Sequence, residues 1–107
     1  MNEDWTTVCR VSDLKPDTAF ATEVGDKAVA IYLVEDRYFA TDNVCPHAYA
    51  LLSDGWLEGK EIECPLHGAR FDIETGALLE GPAECGLQTY PVRVLRDEVQ
   101  CQTQNLS

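Results

Sequence analysis

Basic side chains are scarce in this chain. Eight Lys and Arg stand against 19 Asp and Glu, for a formal charge of −11. A surface so depleted in cations cannot neutralise a run of phosphates, which excludes nucleic acid as a partner. An acidic membrane surface would repel it as well. No apolar run approaches the ~18 residues that a membrane span needs. The opening MNEDWTTVCR has neither a basic n-region nor an apolar h-region, so no signal peptide is expected. The five cysteines are an odd number in a chain with no export signal. That argues against a disulfide framework and for a reducing compartment, with the cytoplasm as the expectation. No glycine-rich dinucleotide fingerprint is present. No segment shows a long helical period, and histidine is down to two.

Short strand-like runs fill the chain instead. Trp5–Val11, Ala19–Val24, Glu61–Glu63, Ala69–Ile73, Thr89–Leu95 and Glu98–Thr103 all read as strands. Lys27–Val34 and Arg37–Thr41, separated by Glu35-Asp36, read as a hairpin. Pro91 suggests an edge position or a bulge in its strand. Ser12 to Pro16 is expected to make at most one helical turn. Turn formers punctuate these runs at Gly25-Asp26, Ser53-Asp54-Gly55, Glu58-Gly59-Lys60, Thr75-Gly76, Gly81-Pro82 and Arg96-Asp97. Many short strands with frequent turns imply an all-β fold, an antiparallel sandwich or barrel. At 107 residues a single domain, 1–107, is expected. The stretch from Asp42 to Gly68 is richer in turn residues and reads as a pair of loops mounted on the β scaffold.

Both histidines lie in those loops, each just after a cysteine: Cys45-Pro46-His47 and Cys64-Pro65-Leu66-His67. A Cys and a His one or two residues apart on a tight turn can chelate one metal, and a proline after the cysteine stiffens that turn. Three readings compete. A Rieske [2Fe–2S] centre needs two thiolates on one iron and two imidazoles on the other, one of each from each loop. A structural Cys₂His₂ zinc site also suits tetrahedral S₂N₂ ligation. The third is a fortuitous grouping of buried cysteines and surface histidines. Zinc fingers usually pair like ligands within an arm, whereas both arms here are mixed, which favours the cluster.

The chain resembles the Rieske ferredoxins that serve bacterial aromatic-ring-hydroxylating dioxygenase systems. The resemblance is carried by Tyr38 to His47, Leu52 to Gly55, Ile62 to Asp72, Thr75-Gly76, Gly81-Pro82 and Leu87 to Val94. It implies an antiparallel β base with a small cluster-binding subdomain, about 42–82, inserted in it. It implies one [2Fe–2S] cluster bound by Cys45, His47, Cys64 and His67, with the His-ligated iron near the surface. It also implies single-electron shuttling from a flavin-containing NAD(P)H-dependent ferredoxin reductase to a terminal oxygenase, with no catalysis of its own. A monomer is expected.

Respiratory-type relatives carry an extra Cys in each loop, joined as a disulfide, and a hydroxyl near the cluster soon after the second His. This chain has neither; Ala69 stands where that hydroxyl would be. Fewer hydrogen bonds to the sulfurs place its expected potential at the low end of a range of about −150 to +300 mV. Two ferric ions, two sulfides and two thiolates sum to zero charge with neutral histidines. Reduction should therefore raise the imidazole pKa values.

Three other functions have less support. An oxygenase needs a mononuclear iron held by further histidines, and none remain. A zinc-stabilised interaction module would be colourless where a Rieske protein is brown. A redox sensor would need an output domain or a DNA-binding face. Of the remaining residues, Cys9, Cys85 and Cys101 read as inert buried thiols, and Phe71 and Tyr90 as core. Trp56 and Tyr49 read as core first and as interface second. Pro82 fits either an ordinary turn or a third loop over the cluster. The acidic surface is expected to keep the chain soluble and to steer it toward a basic patch on a partner.

Overall fold

The computed structural model describes residues 5–45, 50–66, 68–81 and 86–102. Eleven antiparallel strands form three sheets among them. β1 (Thr6–Arg10), β10 (Val92–Leu95) and β11 (Glu98–Cys101) make the first, in the order β1-β11-β10. The second runs β2-β3-β4-β9, from Ala19–Val24, Lys27–Val34, Arg37–Asp42 and Thr89–Tyr90. The third runs β5-β6-β7-β8, from Trp56–Glu58, Glu61–Glu63, Arg70–Asp72 and Leu78–Glu80. The helical content of the described residues is two single 3₁₀ turns, Val11–Asp13 and Leu52–Asp54. No helix among the described residues is long and apolar enough to cross a membrane.

β3 organises the core. Its sequence KAVAIYLV is nearly all apolar because both of its faces are covered, as expected of a central strand. Successive side chains point to opposite faces. Ala30, Tyr32 and Val34 enter one buried cluster together with Cys45, Cys64, Ile62 and Phe71. Val29 and Ile31 enter a second cluster, with Cys9, Val99 and Cys101 of the first sheet. The strand is thus the common wall of two cores. Its hairpin with β4 turns on Glu35 and Asp36, both at positive φ (53° and 65°), the conformation that matches strand twist in a two-residue loop.

Two departures from the sequence reading concern short or broken strands. Thr89–Leu95 is not one strand. β9 pairs with β4 in the second sheet, β10 pairs with β11 in the first, and Pro91 lies between them. A residue without an N–H suits that crossing from sheet to sheet, so Pro91 marks a corner between two strands that are each at the edge of their sheet, the edge position expected of it. β5 and β8, three residues each, went unread in the sequence.

β4 and β9 are hydrogen-bonded neighbours, with Ala40 opposite Tyr90 and Thr41 opposite Thr89. Everything between Asp42 and Thr89 therefore leaves and re-enters one sheet at the same place. The third sheet and both Cys-bearing loops lie within that excursion. Arg37 of β4 and Lys60 of the β5–β6 turn grip Glu74 from two sides, at 2.9 and 2.7 Å, and so tie the excursion to the base.

Candidate metal centre

The first loop is a hairpin closed below its tip. Val44 bridges Leu51, the Cys45 N–H donates to Ala50 O at 2.9 Å, and the Leu52 N–H donates to Asn43 O at 2.7 Å. Asn43 is buried (2% exposed) and its polar atoms find partners. Its N–H donates to Ala28 O of β3 at 2.9 Å. Its Oδ1 accepts from the Ser53 N–H at 2.8 Å and its Nδ2 donates to Ser53 Oγ at 2.9 Å. One step earlier, Asp42 accepts a short hydrogen bond from the Tyr90 hydroxyl. Burial first, and then that bond, push the Tyr90 phenol above its usual range.

The second loop is the β6–β7 connection. The Cys64 N–H donates to Ala69 O at 2.8 Å and the Gly68 N–H donates back to Cys64 O at 3.1 Å. Gly68 has φ +77°, where a residue without Cβ is at no disadvantage. Two other glycines press on this loop. A Cβ on Gly55 would lie 1.9 Å from Glu63 O, and one on Gly81 would lie 2.5 Å from Ala69 Cα. Gly55 ends the first loop, so its close approach locks the exit of one loop to the entrance of the other. Gly81 leads into the segment that begins with Pro82.

Cys45 and Cys64 are 2% and 0% exposed and belong to the same buried cluster, with Leu52, Ala69 and Leu87 around them. Two buried soft donors at the roots of two braced hairpins suit iron in an iron–sulfur cluster or zinc, and not a hard cation. His47 and His67 lie outside the described residues, as do Tyr49, Pro82 and Cys85. Among the described residues no group of three or more His, Cys, Asp or Glu could hold a metal ion. Each loop exposes apolar side chains: Val44 and Leu51 in the first, Leu66 in the second.

Outside the loops, Phe71 and Tyr90 are core, as read. Cys9 and Cys101 are buried, and burial raises both thiols to about 11, with the Asp13 carboxylate adding to the shift at Cys9. They are poor nucleophiles and poor ligands at neutral pH. Trp56 corrects the sequence reading. It is not core but 61% exposed, because the inward position of β5 belongs to Leu57, which packs on the core while Trp56 and Glu58 face out. Asn43, Ser53, Gly55 and Gly81 were not singled out from the sequence. An Asn two residues before a candidate ligand Cys was the one available hint, since Asn favours side chain-to-backbone bonds in turns.

The family model of the Rieske [2Fe-2S] domain matches residues 4–91. The ferredoxin component of the naphthalene 1,2-dioxygenase system of Pseudomonas putida is 44% identical over 94 residues, 88% of this chain and 90% of that protein. The Sphingomonas yanoikuyae B1 ferredoxin superposes with a TM-score of 0.87 at 37% identity, over 95% of this chain and 99% of its own. A chain in the complex of reduced oxygenase and oxidized ferredoxin in carbazole 1,9a-dioxygenase superposes with a TM-score of 0.86 at 38% identity, over 94% of both chains.

Proposed function

The chain belongs to the Rieske [2Fe–2S] domain family, and on that premise we propose that it is the one-electron carrier of a ring-hydroxylating dioxygenase system. It takes electrons from a flavin-containing NAD(P)H-dependent reductase and delivers them to the terminal oxygenase. When bound, the cluster supplies reversible one-electron transfer. Cys45 and Cys64 hold one iron, and His47 and His67 the other. The supporting observation is the pair of buried cysteines at the roots of two braced loops, in a chain 44% identical to a dioxygenase ferredoxin component.

The roles of the chain's own residues follow. The backbone bonds at Cys45 and Cys64 fix where each thiolate points. The apolar packing of Leu52, Ala69 and Leu87 with Cys45 and Cys64 keeps water from the two sulfur ligands. With both histidines committed, the chain has no set for binding a mononuclear iron and does not itself activate oxygen. We place the unit that holds the cluster at about 42–82 within a single domain, 1–107, acting as a monomer in the cytoplasm, with a potential at the low end of the Rieske range.

The test is direct. After anaerobic reconstitution the protein should be brown and contain two acid-labile sulfides per chain. Its dithionite-reduced electron paramagnetic resonance spectrum should give the g values of a mixed His/Cys cluster, and Cys64→Ser should abolish that signal. A colourless protein with one zinc per chain, or g values of an all-thiolate cluster, overturns the assignment.

A further inference from the structure

A groove of about 360 Å³ opens between the edge strand β5 and the turn that enters β2. Leu57 and Ile62 are apolar on its lining, and Trp56 and Asp17 line it as well. Asp17 is held in place: its φ is +63° and its N–H donates to Leu33 O at 2.8 Å. No Lys or Arg is among the described residues that line the groove. Across the sheet from Trp56 stands Glu63, with Glu58 paired to Glu61 beside it. Arg70, the cation of this face, is already engaged by Glu61 and Glu63 at 3.4 and 3.3 Å. An indole left 61% exposed beside an apolar slot and a carboxylate on a braced backbone is an environment that an arginine side chain fits. The stem lies on aliphatic surface, the guanidinium stacks on the ring, and the carboxylate accepts its hydrogen bonds.

We propose that this groove receives an arginine from a basic patch on a redox partner protein. The occupant follows from charge. A second copy of a chain with 19 acids against eight bases would be repelled, whereas a cationic protein surface would be drawn in. Trp is among the side chains most often found to dominate an interface. Position supports it too: Gly55, the residue before Trp56, packs on Glu63 O, the carbonyl that precedes Cys64. A partner seated here lies beside the loops. This inference rests on the electron-carrier reading and names a contact for it.

The experiment uses the reconstituted holoprotein, with the flavoprotein reductase and terminal oxygenase of a naphthalene dioxygenase system as probes. Affinity for each is measured by titration, at low and at moderate salt. Trp56→Ala should weaken binding to at least one of the two by about fivefold or more, and Trp56→Phe should lose less. Asp17→Asn should flatten the salt dependence. The visible and dithionite-reduced resonance spectra should stay those of the parent, which shows that each variant is folded and loaded. A loss below about fivefold with both partners overturns the proposal, as does a parent that binds neither while dithionite still reduces it. A parent that dithionite cannot reduce fails earlier, at the electron-carrier reading itself.

Discussion

The two loops carry the same kind of ligand pair and are held in opposite ways. The first is tied by a side chain. Asn43 makes four hydrogen bonds, two through its backbone and two through its amide, to Ala28, Leu52 and Ser53. The second is closed, among the described residues, by backbone bonds at Cys64, Gly68 and Ala69 above an exposed Glu63–Arg70 ion pair, and is wedged between two glycines whose missing side chains let neighbouring backbone touch it. A polar clamp fails by degrees, because water can replace part of it. A steric wedge has no such fallback, because close-packed backbone cannot give way to an added methyl. The loops should therefore respond differently to the smallest substitutions.

The largest effect is expected at the wedge. Gly55→Ala puts a methyl 1.9 Å from Glu63 O, and Gly81→Ala puts one 2.5 Å from Ala69 Cα. Each should cost about 3 kcal/mol or more, the upper range for overpacking, and lower the iron and sulfide content per chain. Gly59→Ala is the control. It has φ +60° but nothing within 4 Å of its would-be Cβ, so only the backbone penalty of about 1–2 kcal/mol applies. If Gly55→Ala and Gly81→Ala match that control in urea unfolding, the wedge does not exist. Next comes Asn43→Ala, which strands the Ser53 N–H and should cost about 2 kcal/mol. The variant should still load its cluster, with broadened resonance lines. Complete loss of the cluster would mean that the first loop is no more forgiving than the second.

The contrast also explains what the sequence could convey. The two Cys-His pairs announce themselves because ligand spacing is local. The bounds of β2 and β3 and the Glu35-Asp36 turn were legible for the same reason: alternation and turn chemistry act over a few residues. The wedge was not legible. Gly55 meets Glu63, and Gly81 meets Ala69, and nothing near either glycine signals a partner 8 or 12 positions away. β5 and β8 are three residues long, too short for a period to show. Their pairing with β6 and β7 makes them strands. Trp56 was misplaced because the average burial of tryptophan outweighed the parity of a short edge strand, where Leu57 holds the inward position. The division of Thr89–Leu95 between two sheets is likewise tertiary: Pro91 signals a disturbance, and only the neighbouring strands decide its kind.

A milder test of the first loop lies one residue before Asn43. Tyr90→Phe removes the hydroxyl that donates to Asp42 while keeping the ring in the core. It should lower stability by about 1 kcal/mol, read from the urea midpoint, with the cluster content unchanged. A loss as large as that of Asn43→Ala would shift the main support of this loop from the asparagine clamp to the base sheet.

The smallest effect should come from the latch outside both loops. Hydrogen bonds from Lys60 first, and then from Arg37, hold the Glu74 carboxyl below its ordinary value. A lowered carboxyl contributes stability above the ordinary Glu range and loses it as pH falls through the lowered value. All three side chains are substantially exposed, so screening leaves little of it. Glu74→Gln should therefore keep its melting temperature within about 2 °C of the parent at pH 7. Since protonation removes the same charge from the parent, the two melting curves should converge as the solution is acidified, and added salt should narrow the gap at neutral pH. A gap that widens in acid, or one at pH 7 that rivals Asn43→Ala, would mean that the excursion is held to the base chiefly by this surface triad, and the difference between a clamped loop and a wedged one would then matter little to stability.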